Sequence, residues 1–260
     1  NKAMTGFVSG GRQEIALLYD PNVVTVKHDP GGKAGHRTNP RFDEYFYMDS
    51  DADGIKEQYK HYRPPLEVKV TRADNGKSFW MIVAHAKSKG IFSSMDRVHF
   101  DRTSERNRRK LFAECMSIRQ RVDEWQDKKR AIVVMGDIND GPGFDYYESK
   151  FCRSSVELVV GDVFNLDRLL RYPIGRPKFG RFGWEPSSAR FKDRFTGDYV
   201  NAIIDHIMLS REFKLSGDKA YKVWNPYPDS DDDFIASEAK AARIDLKQAS
   251  DHFPITLDIE

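Results

Sequence analysis

Residues 133–141 read VVMGDINDG, an apolar run that ends in a glycine, an acid and an amide. The apolar run starts slightly earlier, and AIVVMGD over residues 131–137 is typical of a buried β-strand. Asp137 and Asn139 follow just before a Gly-Pro pair that favours a turn. The stretch therefore predicts a central strand that carries a carboxylate and a carboxamide to the edge of a sheet.

Hydropathy patterns predict further strands along the chain. Apolar residues alternate in EIALLYD and LEVKVTR, and they are more continuous elsewhere. The predicted strands cover residues 14–20, 66–72, 78–85, 201–209 and 253–259. Segments 30–45 and 225–233 are rich in Gly, Pro, Asn and Asp and are predicted to be loops.

One long helix is predicted to begin near Ser104, a good N-cap residue. Apolar residues recur along it at spacings of 4, 3, 4 and 3, which predicts core packing: Leu111, Cys115, Ile118, Val122 and Trp125. The other face mixes basic and acidic residues: Arg106, Arg108, Arg109, Arg119 and Arg121 with Glu105, Glu114 and Glu124. Such a mixture more often forms a solvated face than a phosphate-binding one, so we interpret it as solvated.

Composition limits the classes of protein. With 260 residues, 39% of them hydrophobic, the chain can build one large core, and we expect a single domain over residues 1–260. Lys and Arg number 42 against 40 Asp and Glu, so a net charge of +2 selects no polyanionic partner by itself. Two cysteines without a C-x-x-C motif argue against a disulfide scaffold or a thiolate zinc site. No apolar run approaches the ~18 residues of a transmembrane helix.

Residues 49–54 read DSDADG and begin like a calcium-binding loop. The twelfth position of such a loop would be Lys60, where a bidentate Glu is required. We therefore predict an ordinary turn over this segment.

Two Asp-His pairs recur near the C-terminus, in IIDHIML over residues 203–209 and in ASDHFPI over residues 249–255. Each stands beside an apolar strand, and together with Asp137 and Asn139 they indicate one shared cleft. Such a set suits hydrolysis of a phosphate ester, in which a divalent cation neutralises the oxygens and an acid-base pair moves protons. Carboxylate and amide oxygens favour Mg²⁺ as that cation.

Six segments, in order, resemble the endonuclease/exonuclease/phosphatase superfamily, whose fold is typified by deoxyribonuclease I. They are RQEIALLYDPNVVTV (12–26), RPPLEVKV (63–70), FWMIVAHAKS (79–88), IVVMGDIND (132–140), IIDHIMLS (203–210) and SDHFPI (250–255). The resemblance implies an α+β fold, the four-layered αββα sandwich, in which two mixed, mostly antiparallel sheets pack face to face with helices outside. It also implies a site at one edge of the sheets.

The resemblance further implies roles for individual residues. Asp137 and Asn139 match the pair that orients the attacking water and contacts the scissile phosphate. Asp251 matches a metal-binding carboxylate, and His252 matches the imidazole that contacts the phosphate and serves in acid-base chemistry. Asp205 matches the carboxylate that orients this imidazole, whereas the histidine directly after it is expected to be structural.

Two more residues are assigned through the same resemblance, and Arg63 is proposed from its charge alone. His85 matches the second catalytic imidazole of the deoxyribonuclease branch, and Glu14 falls where that branch keeps the carboxylate that partners it. Without the resemblance, a structural histidine and an exposed strand end would be the commoner interpretations. Arg63 is expected to position a phosphate, with a local salt bridge as the alternative. Asp137 and Asn139 have a structural alternative too, since both residue types commonly shape turns.

The beginning of the chain departs from the family pattern. Members normally start with a strand carrying an Asn and then a strand ending in a Gln-Glu pair whose Glu binds Mg²⁺, and neither precedes EIALLYD here. Gln13-Glu14 imitates that pair but begins the following strand, so Glu14 is not assigned to the metal. The opening NKAMTGFVSGG has neither an initiator Met nor an apolar signal region, so we expect a trimmed N-terminus, with a divergent member that has an incomplete metal site as the alternative. No compartment is predicted.

The function implied is that of a divalent-metal-dependent phosphodiesterase, with Mg²⁺ as cofactor and Mn²⁺ or Ca²⁺ as alternatives. Water is expected to attack in line, with His252 activating it and His85 protonating the leaving oxygen. Glu14 and His85 together favour a nuclease that acts on DNA or RNA, and a phosphodiester lipid, as for sphingomyelinases, is the alternative substrate. A non-catalytic binding module on the same scaffold is the alternative of another class. We expect a monomer.

Overall fold

The computed structural model describes residues 1–10, 13–91, 93, 96–143, 145–174, 178–180, 183–193, 196–217, 220–227 and 243–260. The strands in these residues are β1 (Lys2–Thr5), β2 (Ala16–Tyr19), β3 (Val24–His28), β4 (Tyr45–Met48), β5 (Glu57–Lys60), β6 (Leu66–Arg72), β7 (Ser78–His85), β8 (Ile132–Asp137), β9 (Lys178–Gly180), β10 (Gly183–Glu185), β11 (Ala189–Lys192), β12 (Tyr199–Ala202), β13 (Asp205–Leu209), β14 (Tyr221–Val223) and β15 (Ile255–Leu257). The helices are α1 (Arg97–Asp127), α2 (Ser155–Val160) and α3 (Arg243–Ala249), with a short 3-10 helix at Glu148–Phe151.

A five-stranded mixed sheet in the order β13-β8-β7-β6-β3 lies at the centre of the fold. Strands β7 and β8 run parallel, and the other neighbours are antiparallel. The parallel pair requires a crossover connection, which α1 provides because it lies between β7 and β8 in the chain. The expected strands over 66–72 and 78–85 are confirmed at both ends, and the strand predicted over 131–137 is confirmed from Ile132.

Alternation along the central strands divides their side chains between two layers. Ile82 and Val134 pack against the apolar residues of α1, with α2 on the same side. Val133 and Ile207 point to the other face and pack with residues of β15, which pairs with β14. A helical layer, the central sheet and a second β-layer are thus stacked in this order. The α+β sandwich expected from the sequence is confirmed.

Helix α1 begins earlier than predicted. Its N-cap is Asp96, whose side chain accepts a hydrogen bond from the His99 backbone N–H at 3.0 Å. The start predicted near Ser104 was wrong, because that residue is buried within the helix and does not cap it. The apolar stripe itself is confirmed, since all five of its residues are buried in the core.

The charged face of α1 is not solvated as a whole, which corrects the interpretation drawn from its composition. Arg121 is buried and forms an ion pair at 2.5 Å with Glu67, which is also buried. Arg119 is buried too and donates to the carbonyl oxygen of Val159 at the end of α2. Glu114 is 1% exposed. These long side chains reach past the helix to partners on neighbouring elements, which a pattern of residue types cannot reveal.

Three predicted strands and the loops differ in extent, and of the strand expected over 253–259 only β15 (Ile255–Leu257) forms. The strand expected over 201–209 is divided between β12 and β13. The division lies at Ile204, whose backbone N–H donates to the Ser188 hydroxyl oxygen and whose carbonyl oxygen accepts from the N–H of Ile138. The strand expected over 14–20 covers only β2, which pairs with β1. Segment 30–45 is confirmed as mainly loop, and of segment 225–233 the part beyond residue 227 lies outside the described residues.

No helix in the described ranges has the length and apolar character needed to cross a bilayer.

Candidate active site

Three predicted site residues lie side by side at one end of the central sheet. His85 at the end of β7 is opposite Asp137 at the end of the parallel strand β8. Asp137 is also opposite Asp205, the first residue of the antiparallel strand β13. Residues opposite one another in neighbouring strands point to the same face, here the face that carries β14 and β15. The register of the sheet therefore brings together three residues, of which His85 and Asp205 are 120 positions apart in the chain.

His206 lies on the opposite face because it directly follows Asp205 in the strand. It is fully buried, with Nε2 2.7 Å from the carbonyl oxygen of Asp140 and Nδ1 2.6 Å from the Tyr172 hydroxyl. Both ring nitrogens are therefore used by the fold, as expected for a structural histidine.

His252 reaches the site from the C-terminal segment. Its Nδ1 lies 2.9 Å from Oδ2 of Asp205. Buried Ser188 organises both partners: its Oγ accepts from the backbone N–H of Asp205 at 2.9 Å, and its carbonyl oxygen accepts from the N–H of Phe253 at 2.7 Å. Sequence reasoning missed Ser188, since an isolated serine in PSSAR carries no local signal.

The end of β8 and the turn after it depend on Gly136, Asp137 and Asn139. Gly136 has φ +124°, and a Cβ there would lie 2.1 Å from the carbonyl oxygen of Ala84 on β7. Asn139 has φ +54°, and its backbone N–H donates to Oδ1 of Asp137 at 2.7 Å. The Asn139 amide nitrogen also donates to Oδ2 of Asp137 at 3.0 Å and to the carbonyl oxygen of Ala86 at 3.1 Å. Asp137 and Asn139 therefore shape this turn and also lie at the candidate site.

Arg63 holds the segment that follows β7. Its Nε donates to the His85 carbonyl oxygen and its Nη2 to that of Ala86, both at 3.2 Å. Nη1 donates to Oε1 of Gln13 at 2.6 Å. The side chain is 8% exposed, and its burial lowers the pKa of the guanidinium. These contacts are with backbone and an amide, so the local salt bridge considered as an alternative does not form among the described residues, and the phosphate contact stays a prediction.

Glu114 is a second anchor that sequence reasoning missed. Its Oε1 accepts from the N–H of Tyr62 at 3.2 Å, and its Oε2 accepts from the N–H of Lys87 at 2.8 Å. Burial raises the pKa of this carboxyl to about 7. One side chain of α1 thus ties down the residue before Arg63 and the second residue after His85.

Glu14 is not brought to His85. The His85 Nε2 lies 3.3 Å from Oδ2 of Asp137. Glu14 is exposed before β2, and its Oε1 accepts from the N–H of Ser9 at 3.4 Å. Within the part of the chain that the structure describes, no contact joins Glu14 to His85. Glu14 precedes β2, which pairs with β1, and its partnership with His85 stays a prediction.

The two imidazoles have opposite electrostatic environments. Burial and the nearby Arg63 lower the pKa of His85 to about 4, so this ring is neutral at pH 7. The hydrogen bond to Asp205 raises the pKa of His252 to about 9, so this ring is charged. Burial, and then the charge of Asp205, raise the pKa of Asp137 to about 6. Two carboxylates that repel one another would be stabilised by a cation.

Asp137, Asp205 and His252 each offer a ligand atom, and these atoms lie within 4.8 Å of one another. The donor set of two carboxylates and an imidazole fits a divalent cation such as Mg²⁺ or Mn²⁺. Asp251, predicted as the metal ligand, is exposed, and its Oδ1 accepts from the Ser250 hydroxyl at 3.4 Å. Its role in metal binding stays a prediction.

The acidic segment at residues 49–54 forms a second group of possible ligands, Asp49, Asp51 and Asp53. Asp49 accepts from the N–H of Gly54 at 2.9 Å, and Asp51 is paired with Arg109. The segment is thus a turn closed by its own side chains and by α1, as predicted.

The sequence matches no protein-family model and no curated protein. Similar solved structures include an endonuclease/exonuclease/phosphatase family protein from Bacteroides thetaiotaomicron, with 13% identity, 99% of this chain and 74% of the other covered, and a TM-score of 0.48. A mannosyl-6-phosphatase from the same organism has 12% identity, 100% and 76% coverage, and a TM-score of 0.48. D. rerio TDP2, complexed with a single-strand DNA product, has 11% identity, 100% and 76% coverage, and a TM-score of 0.45. The first of these proteins is named as a member of the superfamily that the sequence motifs resemble.

Proposed function

We propose that this chain is a divalent-metal-dependent phosphodiesterase, with nucleic acid as its leading substrate. The observation that carries the proposal is the convergence of a charged imidazole, a neutral imidazole and two carboxylates at one sheet edge. Hydrolysis of a phosphodiester requires a group that accepts a proton from water and a group that gives one to the leaving oxygen. His85 and His252 differ in protonation at pH 7, so they can serve these two roles together.

The charge states favour a particular division of the work. Neutral His85 accepts the proton of the attacking water, and charged His252 donates its proton to the leaving oxygen or to a phosphoryl oxygen. This division is the reverse of the one expected from the resemblance. Asp205 keeps the His252 ring oriented through their 2.9 Å contact, and Arg63 keeps the segment of His85 in place.

Asp137 and Asp205 would hold the cation, with the Oδ1 of Asn139 as a further candidate ligand, whereas His252 is charged and is kept for proton transfer. When bound, the cation supplies charge neutralisation for the phosphoryl oxygens. Asn139 presents an amide beside Asp137, where it can contact the scissile phosphate. The Asn139 amide nitrogen already donates to Asp137 and Ala86, so Oδ1 is available to the cation, and contact with a phosphate oxygen requires one of these two donors to exchange its partner.

The test is hydrolysis of a single-stranded oligonucleotide, plasmid DNA, sphingomyelin and bis(p-nitrophenyl) phosphate, with Mg²⁺ and with chelator. We expect turnover that chelator abolishes and that falls by about 10² to 10⁴ in Asp137→Asn and His252→Gln. His36→Gln is a matched control, because His36 is an exposed histidine in a loop. Turnover of sphingomyelin alone would select the lipid phosphodiesterase. Absence of turnover in a protein that folds and binds Mg²⁺ would select the non-catalytic binding module.

A further inference from the structure

A group of cationic side chains beside the candidate site lacks close acidic partners. We name it the cationic patch and define it as Lys87, Arg102, Arg106 and Lys110. Arg102 and Arg106 are exposed and form no ion pair with the described residues. Within the same ranges, Lys87 pairs with no carboxylate, and Lys110 lies 3.9 Å from the buried carboxylate of Glu114. Lys110 is therefore the one member of the patch within ion-pair distance of an acid among the described residues, and the charges of Lys87, Arg102 and Arg106 have no such partner there.

Most other cations of α1 are paired, with the exposed Arg97 at the start of the helix as an exception among the described residues. Side chains elsewhere on the helix lie within ion-pair distance of acids: Arg108 with Asp145, Arg109 with Glu105, Arg119 with Asp123, Arg121 with Glu67 and Lys128 with Glu124. Arg102, Arg106 and Lys110 are spaced by four residues, so they share one face of the helix. They extend over about 12 Å along its axis. Such a row of like charges costs stability in the free protein.

The patch adjoins His85 through the segment that follows β7. Lys87 is two residues beyond His85, and its backbone N–H is fixed by Glu114 on α1. Burial lowers the pKa of the Lys87 ammonium, the charges of Lys110, Arg63 and Arg106 lower it further, and the carboxylate of Glu114 acts in the opposite direction. These cations are therefore close enough to repel one another, and a bound polyanion would relieve that repulsion.

Tyr62 provides an aromatic surface within the same group. Its side chain is 48% exposed, Arg63 Cζ lies 5.5 Å from the ring centroid, and Lys110 Nζ lies 5.7 Å from it. An aromatic ring among cations matches a nucleotide, which brings a base for the ring and a phosphate for the charges.

We propose that the cationic patch and Tyr62 bind a single-stranded nucleic acid that runs from the scissile phosphate along α1. This rests on the proposed function and deepens it by naming the substrate class. A single strand is favoured over a duplex because an unpaired base can turn toward Tyr62, whereas duplex bases remain stacked inside the helix. The phosphates bind the exposed cations, and sequence specificity is not required.

The first experiment measures binding without turnover. A fluorescent single-stranded 12-mer is titrated in chelator at several salt concentrations with the wild type and with R102Q/R106Q/K110Q, using fluorescence anisotropy. We expect the Kd of the patch variant to be raised by about 10-fold or more. The slope of log Kd against the logarithm of salt concentration should be smaller by about 2, because each phosphate contact with a single strand contributes about 0.7 and three cations are removed. The control is K128Q/K150Q/R211Q, which removes the same charge from exposed cations that have acidic partners. Equal effects of both triple variants would overturn the proposal.

The second experiment tests Tyr62 and separates the two proposals. Tyr62→Ala should raise the Kd for the single strand by about 5-fold to 100-fold, as expected for loss of a stacked base, and Tyr62→Phe should retain binding. Tyr146→Ala, which removes a ring that is 77% exposed, is the control. An equal rise in the Kd for a duplex on Tyr62→Ala would overturn the proposal. So would binding to sphingomyelin vesicles that is tighter than binding to the single strand and is unchanged in R102Q/R106Q/K110Q.

The ratio of kcat/KM for the oligonucleotide to that for bis(p-nitrophenyl) phosphate should fall in the patch variant R102Q/R106Q/K110Q. Turnover of bis(p-nitrophenyl) phosphate with an unchanged ratio would refute the patch while leaving the phosphodiesterase intact.

Discussion

His252 and Asp205 form a hydrogen-bonded pair, with Nδ1 of the imidazole 2.9 Å from Oδ2 of the carboxylate. The two residues come from different parts of the fold, the C-terminal segment and the start of β13. Ser188 fixes the backbone of both parts. The geometry of this pair is therefore a property of three separate segments, and changes in any of them should alter the charge of His252.

Asp205→Asn should lower the pKa of His252 in metal-free protein. The pKa of about 9 arises first from the hydrogen bond to Asp205, so loss of the carboxylate should return it toward 6.5. Because the folded pKa is raised, the pair's contribution to stability is complete below pH 6.5 and is lost as pH rises through about 9. NMR titration of the histidine ring protons in chelator measures the pKa. An unchanged value in the variant would contradict the assignment of its cause.

Divalent cations should raise the melting temperature through Asp137 and Asp205. Stabilisation of about 2.7 kcal/mol is expected when Mg²⁺ or Mn²⁺ is at 100 times its Kd, and Asp137→Asn should remove most of it. Thermal denaturation with increasing metal concentration provides the measurement. Asp53→Asn is the control, because it changes the other group of acids. Asp251→Asn, in parallel, tests the ligand that was predicted from sequence.

Glu114→Gln should lower kcat because Glu114 holds the backbone beside Arg63 and His85, and not because it contacts the substrate. Glutamine keeps one acceptor oxygen, so one of the two N–H groups, of Tyr62 or of Lys87, loses its partner. We expect a loss of about 1 to 3 kcal/mol in unfolding free energy and a lower kcat at temperatures where the variant is folded. Glu114→Ala should lower both further. Glu212→Gln, on an exposed residue, should change neither. A normal kcat in folded Glu114→Ala would show that Glu114 contributes to stability alone.

Gly136→Ala should destabilise the protein and displace Asp137. The new methyl group would meet the Ala84 carbonyl oxygen at 2.1 Å, and φ +124° is unfavourable for alanine. We expect a loss of about 3 kcal/mol or more, measured by urea denaturation. Gly76→Ala is matched for positive φ (+68°) but has nothing within 4 Å, so it should cost only about 1 to 2 kcal/mol. Equal losses in the two variants would indicate that backbone conformation alone explains the glycine.

His61 should make the fold sensitive to acid. It is 4% exposed and packs against Phe42 and Phe46, and burial lowers its pKa to about 3. The unfolded chain binds the proton near pH 6.5, so stability is present above that pH and decreases as pH falls toward 3. The difference in unfolding free energy between wild type and His61→Gln should change by up to about 1.4 kcal/mol per pH unit in this window. A difference that is constant between pH 7 and pH 4 would contradict the prediction.

Much of the central sheet could be predicted from the sequence. The strands over 66–72 and 78–85 are delimited by their own apolar patterns, and the motif around Asp137 marks the end of a third. The family resemblance separated the role of Asp205 from that of His206, and the structure agrees with this separation because adjacent residues in a strand point to opposite faces. The core stripe of α1 followed in the same way from its 3.6-residue period. These features depend on local spacing, which a single sequence records.

The remaining decisions required tertiary structure because they depend on which distant elements meet. His85 lies beside Asp137, since strand register sets the neighbours, whereas Glu14 precedes β2, which lies outside the central sheet. Burial of Glu114 on a charged helix face arises from two backbone segments that pack over it. The sequence by itself determined the residue types available for chemistry and the strands that carry most of them. Tertiary structure decided their pairing, charge and exposure, because hydrogen-bond partners and desolvation are set by contacts across the fold.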